Sequence, residues 1–435
     1  MKIRAVLRLL SLLLLVLPAK AWGEQIVQVT LKDGIHLLLS PEPTSHFIAI
    51  SVFIRTPRDI TSRKRATADL AAHALFYSNT QSTANWEAHL AEEAGGTLDV
   101  LYTPDYVALN CVTRRDELEK AAEVLCDALR HAAFTPEALS HARRNITDEW
   151  KELLKHPYLE ASTRLTDALE GRAAIDSSQL GSISQSETLE YYVTHYTPSA
   201  IVISIAGDFP LQLAETDFEA FLEDFERPSP FPRYEYEAPV DAPAERIQLP
   251  TMKANGLDEF AMAAVSAPRV DSPDYPAFCV LQALLGSGHA SRIFVGLRDK
   301  LGIGYRLGAS FQARESGPLV ASVEWDSKRT SANGETAVSP QQALKLLESE
   351  IDSIVEHPPD SQEMIRARSI AIGQDALQHE RIRDRAFLIG WYAAMGLGSG
   401  FDDRLPAMIE GVTREDVLRA AKKYLSRRAV ITIEP

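Results

Sequence analysis

The chain has 435 residues, of which 45% are hydrophobic and 24% are charged, a balance typical of globular proteins. This length favours two domains. The net charge of −15 argues against nucleic acid and anionic membranes as partners, because both repel an acidic surface. Three cysteines are too few for a disulfide framework; three buried thiols are favoured over a single Cys111–Cys126 bridge.

The first 21 residues have the pattern of a secretory signal peptide. Lys2 and Arg4 precede an apolar run at 9–17, and the small-x-small triplet at 19–21 predicts cleavage after Ala21. The apolar run is too short to span a bilayer, so an uncleaved membrane anchor is the less favoured alternative. We therefore expect a secreted protein without stable membrane insertion after cleavage, in a bacterial periplasm or, alternatively, in the extracellular space.

After the signal peptide, strand and helix patterns alternate along the chain. Residues 28–41 predict a β-hairpin that turns at Asp33-Gly34. Residues 115–132 and 342–356 have the apolar spacing of amphipathic helices. These patterns indicate an α+β fold in which sheets are backed by helices.

The same unit is predicted to occur twice. Three pairs of similar segments recur in the same order: 47–59 with 260–271, 89–98 with 296–305, and 186–208 with 414–435. The last pair comprises in each case a helix, a short break and a β-branched run that fits a central strand. The fixed order favours a duplication with loop insertions.

A proline-rich stretch separates the two halves. Residues 226–248 contain no sustained hydrophobic period and are predicted to be a fairly stiff linker. We therefore predict a signal peptide at 1–21, an N-terminal domain at 22–225 and a C-terminal domain at 249–435. Each domain is expected to be a mostly antiparallel sheet backed by helices.

The segment at 67–80, TADLAAHALFYSNT, has the framework of a zinc-binding helix with altered chemistry. The inverted motif H-x-x-E-H places two His ligands one turn apart and a Glu general base between them. In this chain Asp69 stands at the first His position, Ala72 at the Glu position and His73 at the second His position. Further along, Glu149 lies on an acidic predicted helix.

With these residues the sequence resembles the insulinase/pitrilysin-type metallopeptidase family, which includes the mitochondrial processing peptidase. The segment YTPSAIVISIAGD at 196–208 is similar to the family's end-of-domain strand. The resemblance implies Asp69, His73 and Glu149 as a metal-ligand set. Because Ala72 cannot accept a proton from water, the family's general base is missing. We therefore expect a degenerate set without metal and no cofactor in this chain.

The second half contains a further segment that resembles the family, LLGSGHASRIFVGLRDKLGIGYRLGASF at 284–311. In the family, an Arg and a Tyr seven residues apart point at the substrate here, which implies that role for Arg298 and Tyr305. A guanidinium and a phenol suit it, because peptide hydrolysis builds negative charge on the carbonyl oxygen. The corresponding first-half positions are Ala91 and Leu98, so the pair belongs to the second half alone.

A chain with an altered zinc helix and a retained Arg/Tyr pair resembles the non-catalytic subunit of a two-chain peptidase. The leading hypothesis is a secreted subunit that pairs with a zinc-bearing homologue and binds unfolded peptides. Arg298 and Tyr305 would complete the partner's active site. Two alternatives are a stand-alone metallopeptidase with an altered zinc site at Asp69, His73 and Glu149, and a non-catalytic peptide-binding or scaffolding protein.

The remaining motifs give no further site. The glycine-containing segments at 286–292 and 396–400 fit neither a P-loop nor a dinucleotide fingerprint. Six histidines stand alone in the sequence and are expected on the surface rather than at a metal: His46, His141, His156, His195, His289 and His379.

Overall fold

The computed structural model describes most of the chain after the predicted signal peptide. The described residues are 26–31, 34–57, 61–77, 96–173, 177–223, 225, 244–253, 258–304, 306–311, 317–326 and 338–434. The predicted signal peptide and most of the predicted linker lie outside them. Among the described residues, none of the helices combines the length and apolarity needed to cross a bilayer.

The first sheet has the strand order β1-β2-β6-β3-β5-β4. Its strands are β1 (Val27–Thr30), β2 (His36–Pro41), β3 (Phe47–Arg55), β4 (Thr97–Tyr102), β5 (Tyr106–Arg114) and β6 (Ile201–Gly207). Neighbouring strands are antiparallel except for the parallel pair β2 and β6. The predicted hairpin is confirmed, because β1 pairs with β2 and Gly34 takes the positive φ of 89° that such a turn requires.

The second sheet repeats this order. Its strands are β7 (Arg246–Gln248), β8 (Met252–Lys253), β9 (Asp258–Val265), β10 (Arg306–Phe311), β11 (Leu319–Asp326) and β12 (Arg428–Glu434). The path β12-β9-β11-β10 matches β6-β3-β5-β4, and β12 has parallel neighbours in β7 and β8 as β6 has in β2. The predicted α+β class with two mostly antiparallel sheets is confirmed. Strand β7 lies within the predicted linker at 226–248, so the second sheet begins before that boundary.

The helices are numbered along the described part of the chain. In the first half they are α1 (Ser62–Ala74), α2 (Leu118–His131), α3 (Pro136–Leu153), α4 (Pro157–Glu170), α5 (Ser177–Leu180), α6 (Gln185–His195) and α7 (Leu211–Phe221). In the second half they are α8 (Tyr275–Gly286), α9 (Pro340–Glu356), α10 (Ser361–Gln378), α11 (Ile382–Ala394), α12 (Phe401–Glu410) and α13 (Arg414–Tyr424). The two predicted amphipathic helices are confirmed as α2 and α9.

In each half, one helix packs against the sheet of the other half. Helix α4 of the first half packs on β9 and β12 of the second sheet. Its apolar face buries Ala161, Leu165 and Leu169 in one cluster with Met262 and Ile431. This contact removes the apolar surface of α4 and the facing apolar surface of the second sheet from water.

The reciprocal contact is made by α11 of the second half, which packs on β3 and β6 of the first sheet. The rings of Phe387 and Phe53 lie 5.1 Å apart between their centroids. The buried hydroxyl of Ser204 donates a hydrogen bond of 2.7 Å to the carbonyl oxygen of Ala386. The two sheets are therefore joined by packed helices as well as by the chain between them.

Gly390 on α11 tests this contact. We expect Gly390→Ala to lower the free energy of unfolding by about 1–3 kcal/mol, because overpacking a core forces its neighbours to shift. An added Cβ would lie 2.6 Å from Cε2 of Phe53 and would also collide with Ser204. Chemical unfolding monitored by circular dichroism measures the change.

The matched control for this substitution is Gly373→Ala on α10. Gly373 is exposed, and an added Cβ there meets nothing within 4 Å. Since alanine is the better helix former, this variant should gain about 0.5–1 kcal/mol. Equal stabilities of the two variants would contradict the close approach of α11 to the first sheet.

All three cysteines are free thiols, with Cys111 and Cys126 buried and Cys279 partly buried. Burial raises the pKa of Cys111 to about 12, and the negative charge of Asp99 adds to this effect. Burial also raises the pKa of Cys279 to about 12. Because the thiolate is the reactive form, these thiols are expected to be inert at neutral pH.

Candidate functional site

Helix α1 carries two of the predicted site residues on one face. The helix begins after Thr61, whose hydroxyl caps it by accepting from the backbone N–H of Lys64 at 3.5 Å. Asp69 and His73 are one turn apart, so their side chains lie on the same face. Helix α3 packs against α1 and supplies Glu149 from the opposite side.

The structure brings the predicted set of Asp69, His73 and Glu149 together. Nδ1 of His73 lies 2.9 Å from Oδ1 of Asp69 and 2.9 Å from the Asp69 carbonyl oxygen. Nε2 of His73 lies 3.3 Å from Oε2 of Glu149. The side chains of His73 and Asp69 are 11% and 7% exposed, whereas Glu149 is 62% exposed.

This geometry is that of a clamped imidazolium, meaning a protonated His73 ring held between two carboxylates, and it differs from a metal centre with a shared central ion. The two carboxylates lie against opposite nitrogens of the His73 ring, so both nitrogens face oxygen atoms that accept protons. A zinc ion needs its donor atoms to converge on one point. In the described part of the chain, just one group of three potential ligands brings its donor atoms within 4.8 Å of one another, and it lies elsewhere. The arrangement of Asp69, His73 and Glu149 therefore does not fit a single zinc ion.

The electrostatics of His73 support this interpretation. Burial alone would lower its pKa, but hydrogen bonds and charge from Asp69 and Glu149 outweigh burial and raise the pKa to about 11. A metal binds His73 only after one of its two ring protons is lost, and a pKa of about 11 opposes that loss at neutral pH.

Metal-free protein should therefore keep His73 charged. We expect NMR of the imidazole to show no titration of His73 between about pH 6 and pH 9. Because the folded pKa is raised, the stabilisation is fully present below about pH 6.5, the unfolded pKa, and is lost as the pH rises through about 11. A midpoint near the ordinary value would contradict the clamped ion pair.

The residue at the position of the family's general base, Ala72, is part of the hydrophobic core. Ala72 is fully buried and belongs to the hydrophobic cluster of the first half. A methyl group at this position has no proton-transfer chemistry. The helix therefore holds an acid and an imidazole but no general base at the family's position.

A cavity of about 600 Å³ opens beside His73. Asp69, His73 and Glu149 line it together with residues of β4 and of α4. Arg65, Asp167 and Arg172 form part of its wall. A nitrogen of Arg65 lies 3.1 Å from Asp167, and one of Arg172 lies 2.9 Å from Glu170 behind the wall. Sequence reasoning missed the Arg65–Asp167 pair, because its two residues are about a hundred positions apart in the chain.

The predicted Arg/Tyr pair is described only in part. Arg298 lies on a π-helical turn, Phe294–Asp299. Its Nη1 donates to the carbonyl oxygen of Gly302 at 3.5 Å. Tyr305 lies outside the described residues. Arg298 is not among the described residues that line the cavity beside His73.

The expectation that the isolated histidines lie on the surface is wrong for His379. His379 was expected to stand alone, but its Nε2 lies 2.8 Å from Oδ2 of Asp402, and its Nδ1 lies 2.8 Å from the carbonyl oxygen of Asp375. The partner carboxylate follows 23 residues later on another helix, so no local spacing signalled the contact.

Two sheets of the same strand order, one of them packed with a helix that resembles an altered zinc helix, define the class of this protein: a two-domain protein with the fold of a metallopeptidase. Two family profiles match adjoining parts of the chain. Insulinase (Peptidase family M16) matches residues 38–181, and Peptidase M16 inactive domain matches residues 182–371. The chain belongs to the insulinase family of zinc-protease-like proteins.

Relatives and solved structures agree with this assignment. An uncharacterized zinc protease of Bacillus subtilis, YmxG, is 22% identical over 290 residues, which cover 64% of this chain and 68% of that protein. A probable mitochondrial-processing peptidase subunit beta of Arabidopsis thaliana is 24% identical over 269 residues, covering 59% and 50% respectively. The fold is similar to that of a protease from Helicobacter pylori, with a TM-score of 0.81, 14% identity, and coverage of 95% of this chain and 100% of that one.

Proposed function

We propose that this chain is the non-catalytic subunit of a two-chain zinc peptidase. The chain would be secreted, with the bacterial periplasm as its compartment, and would pair with a homologue that holds the zinc and the general base. Its substrates would be unfolded peptides. Arg298 and Tyr305 would act in trans on the peptide bound at the partner's active site.

The observation that carries this proposal is the fully buried Ala72 at the position of the family's base. The clamped His73 adds to it, because an imidazolium held between two carboxylates is a poor zinc ligand. Membership of a zinc-peptidase family accounts for the architecture without requiring that each member be active alone.

The position of Arg298 supports its proposed role. Single π-helical turns are uncommon and occur frequently at functional sites. Arg298 is partly exposed on such a turn. A guanidinium there is suited to hold a peptide carbonyl through its forked donors and to stabilise charge that develops on that oxygen.

The first sheet offers a surface for an extended peptide. Strand β4 ends the sheet order and pairs only with β5 among the described strands. It also lines the cavity beside His73. A peptide that adds to this edge would gain main-chain hydrogen bonds that do not depend on its sequence.

A second candidate is a stand-alone metallopeptidase. Its support is the short distance between His73 and Glu149 and the cavity on which both border. It would require reorientation of the His73 ring and a base other than residue 72. A purely scaffolding role, the third possibility, has no particular structural feature in its favour.

The deciding experiment compares the mature chain alone with the chain co-expressed with an H-x-x-E-H homologue from the same genome. We expect no hydrolysis of a casein-derived peptide library by the chain alone and hydrolysis by the copurified pair. Hydrolysis by the chain alone, abolished by His73→Gln, would favour the stand-alone enzyme. Peptide binding without hydrolysis in either preparation would favour the scaffolding role.

A further inference from the structure

A second side-chain cluster lies in the other half of the molecule, between α10 and α12. It comprises Asp375 near the end of α10, His379 at the cap of that helix, and Asp402 in the first turn of α12. Potential ligand atoms of these three residues all lie within 4.8 Å of one another. The cluster has no place in the function proposed above.

The spacing and orientation of His379 are those of a metal ligand. Asp375 and His379 are one turn apart, which places both side chains on one helix face. Nδ1 of His379 lies 2.8 Å from the Asp375 carbonyl oxygen, which holds the ring so that Nε2 points at Asp402. Metal-binding histidines typically donate their other ring N–H to such an oxygen.

Asp402 supplies an independent observation that points to a bound cation. Its side chain is only 10% exposed, and Oδ2 accepts from His379. Its other oxygen, Oδ1, is buried and has no hydrogen-bond partner among the described residues. A buried carboxylate oxygen without a partner is costly, and a bound cation would remove that cost.

The donors here converge, in contrast to those around His73. Nε2 of His379 and Oδ2 of Asp402 face each other at 2.8 Å, the distance of an ordinary hydrogen bond with one proton between the two atoms. Tetrahedral zinc with ligand distances of about 2.0–2.2 Å would hold these atoms about 3.4 Å apart. Replacement of that proton by a metal ion would therefore need only a small outward movement of the two side chains.

We propose that Asp375, His379 and Asp402 bind a divalent transition-metal cation of the zinc type. One imidazole and two carboxylates form a mixed donor set, and the imidazole favours zinc over magnesium or calcium. A cavity of about 330 Å³ borders Asp375, with Gln282 and Gln374 among its polar lining, and leaves room for water to complete the coordination. The bound ion ties the end of α10 to the start of α12.

The test uses Zn²⁺ itself as the probe and begins from His73→Gln, which removes the histidine of the first-half cluster. Dialysis against excess Zn²⁺ followed by metal analysis should give about one zinc per chain in this background. Addition of His379→Asn or Asp402→Asn should weaken zinc binding by more than about 100-fold. Excess Mg²⁺ should not compete.

Two features of the design keep the result interpretable. Asp402→Asn keeps an oxygen that accepts from His379, so the variant retains the contact between α10 and α12, and its metal-free thermal unfolding checks this. His289→Asn, at an exposed histidine of the same half, is the matched control and should retain full zinc binding. Absence of zinc from the His73→Gln background, or retention of zinc after Asp402→Asn, would overturn the proposal.

Discussion

In the assembled pair, Arg298→Ala should lower kcat by about 10²–10³-fold, the loss typical of a removed donor to a developing oxyanion. The pair should still copurify, because truncation of one partly exposed side chain seldom abolishes the association of two chains. A change confined to KM would instead indicate that Arg298 binds ground state and transition state equally. Steady-state kinetics on a defined peptide separates these contributions, and Tyr305→Phe should act in the same direction.

Lys300→Ala is the matched control for Arg298→Ala. Lys300 is an exposed cation two residues further along the same segment, so its removal changes the net charge by the same amount. We expect this variant to retain nearly full turnover. Unchanged turnover in both Arg298→Ala and Tyr305→Phe would refute the proposed role in trans.

Ala72→Glu should fail to create a peptidase and should destabilise the chain by about 3–5 kcal/mol. The reason is that residue 72 is fully buried in the hydrophobic cluster of the first half, where an unpaired carboxylate carries a large desolvation cost. Chemical unfolding at neutral pH measures the loss. The expected destabilisation should shrink at low pH, where the introduced acid is protonated.

Asp69→His is the comparison for Ala72→Glu on the same helix. Asp69 borders the cavity beside His73 and has polar neighbours, so a second histidine there is expected to cost less than a buried glutamate. If the double variant folded with the stability of the parent and hydrolysed peptide with added zinc, the lost residues alone would account for inactivity. That result would contradict the interpretation that core packing around residue 72 prevents a catalytic site in the first half.

The sequence predicted the parts of this protein that depend on local pattern. The hairpin at Gly34, the amphipathic helices and the central strands β6 and β12 follow from hydrophobic period and turn chemistry over short windows. The proximity of Glu149 to His73 was available only through the family resemblance, since no local spacing relates them.

Features that depend on tertiary contact were not predictable in this way. The π-helical turn at Arg298 interrupts an otherwise helical pattern. At Gly296 on this turn, a Cβ would collide with Glu350 on α9. The opposed carboxylates at His73 and the contact between His379 and Asp402 likewise depend on how helices distant in sequence pack. The hydrophobic period of a sequence determines which face of a helix is apolar, but it does not determine which polar groups of two packed helices come into contact.

The reciprocal placement of α4 and α11 has a consequence for how such a chain can change over generations. A half that has lost a catalytic residue would ordinarily be free to accumulate further damage. Here that freedom is restricted, because α4 of the first half shields the second sheet and α11 of the second half shields the first. Selection that maintains the fold of one half therefore also maintains the fold of the other half.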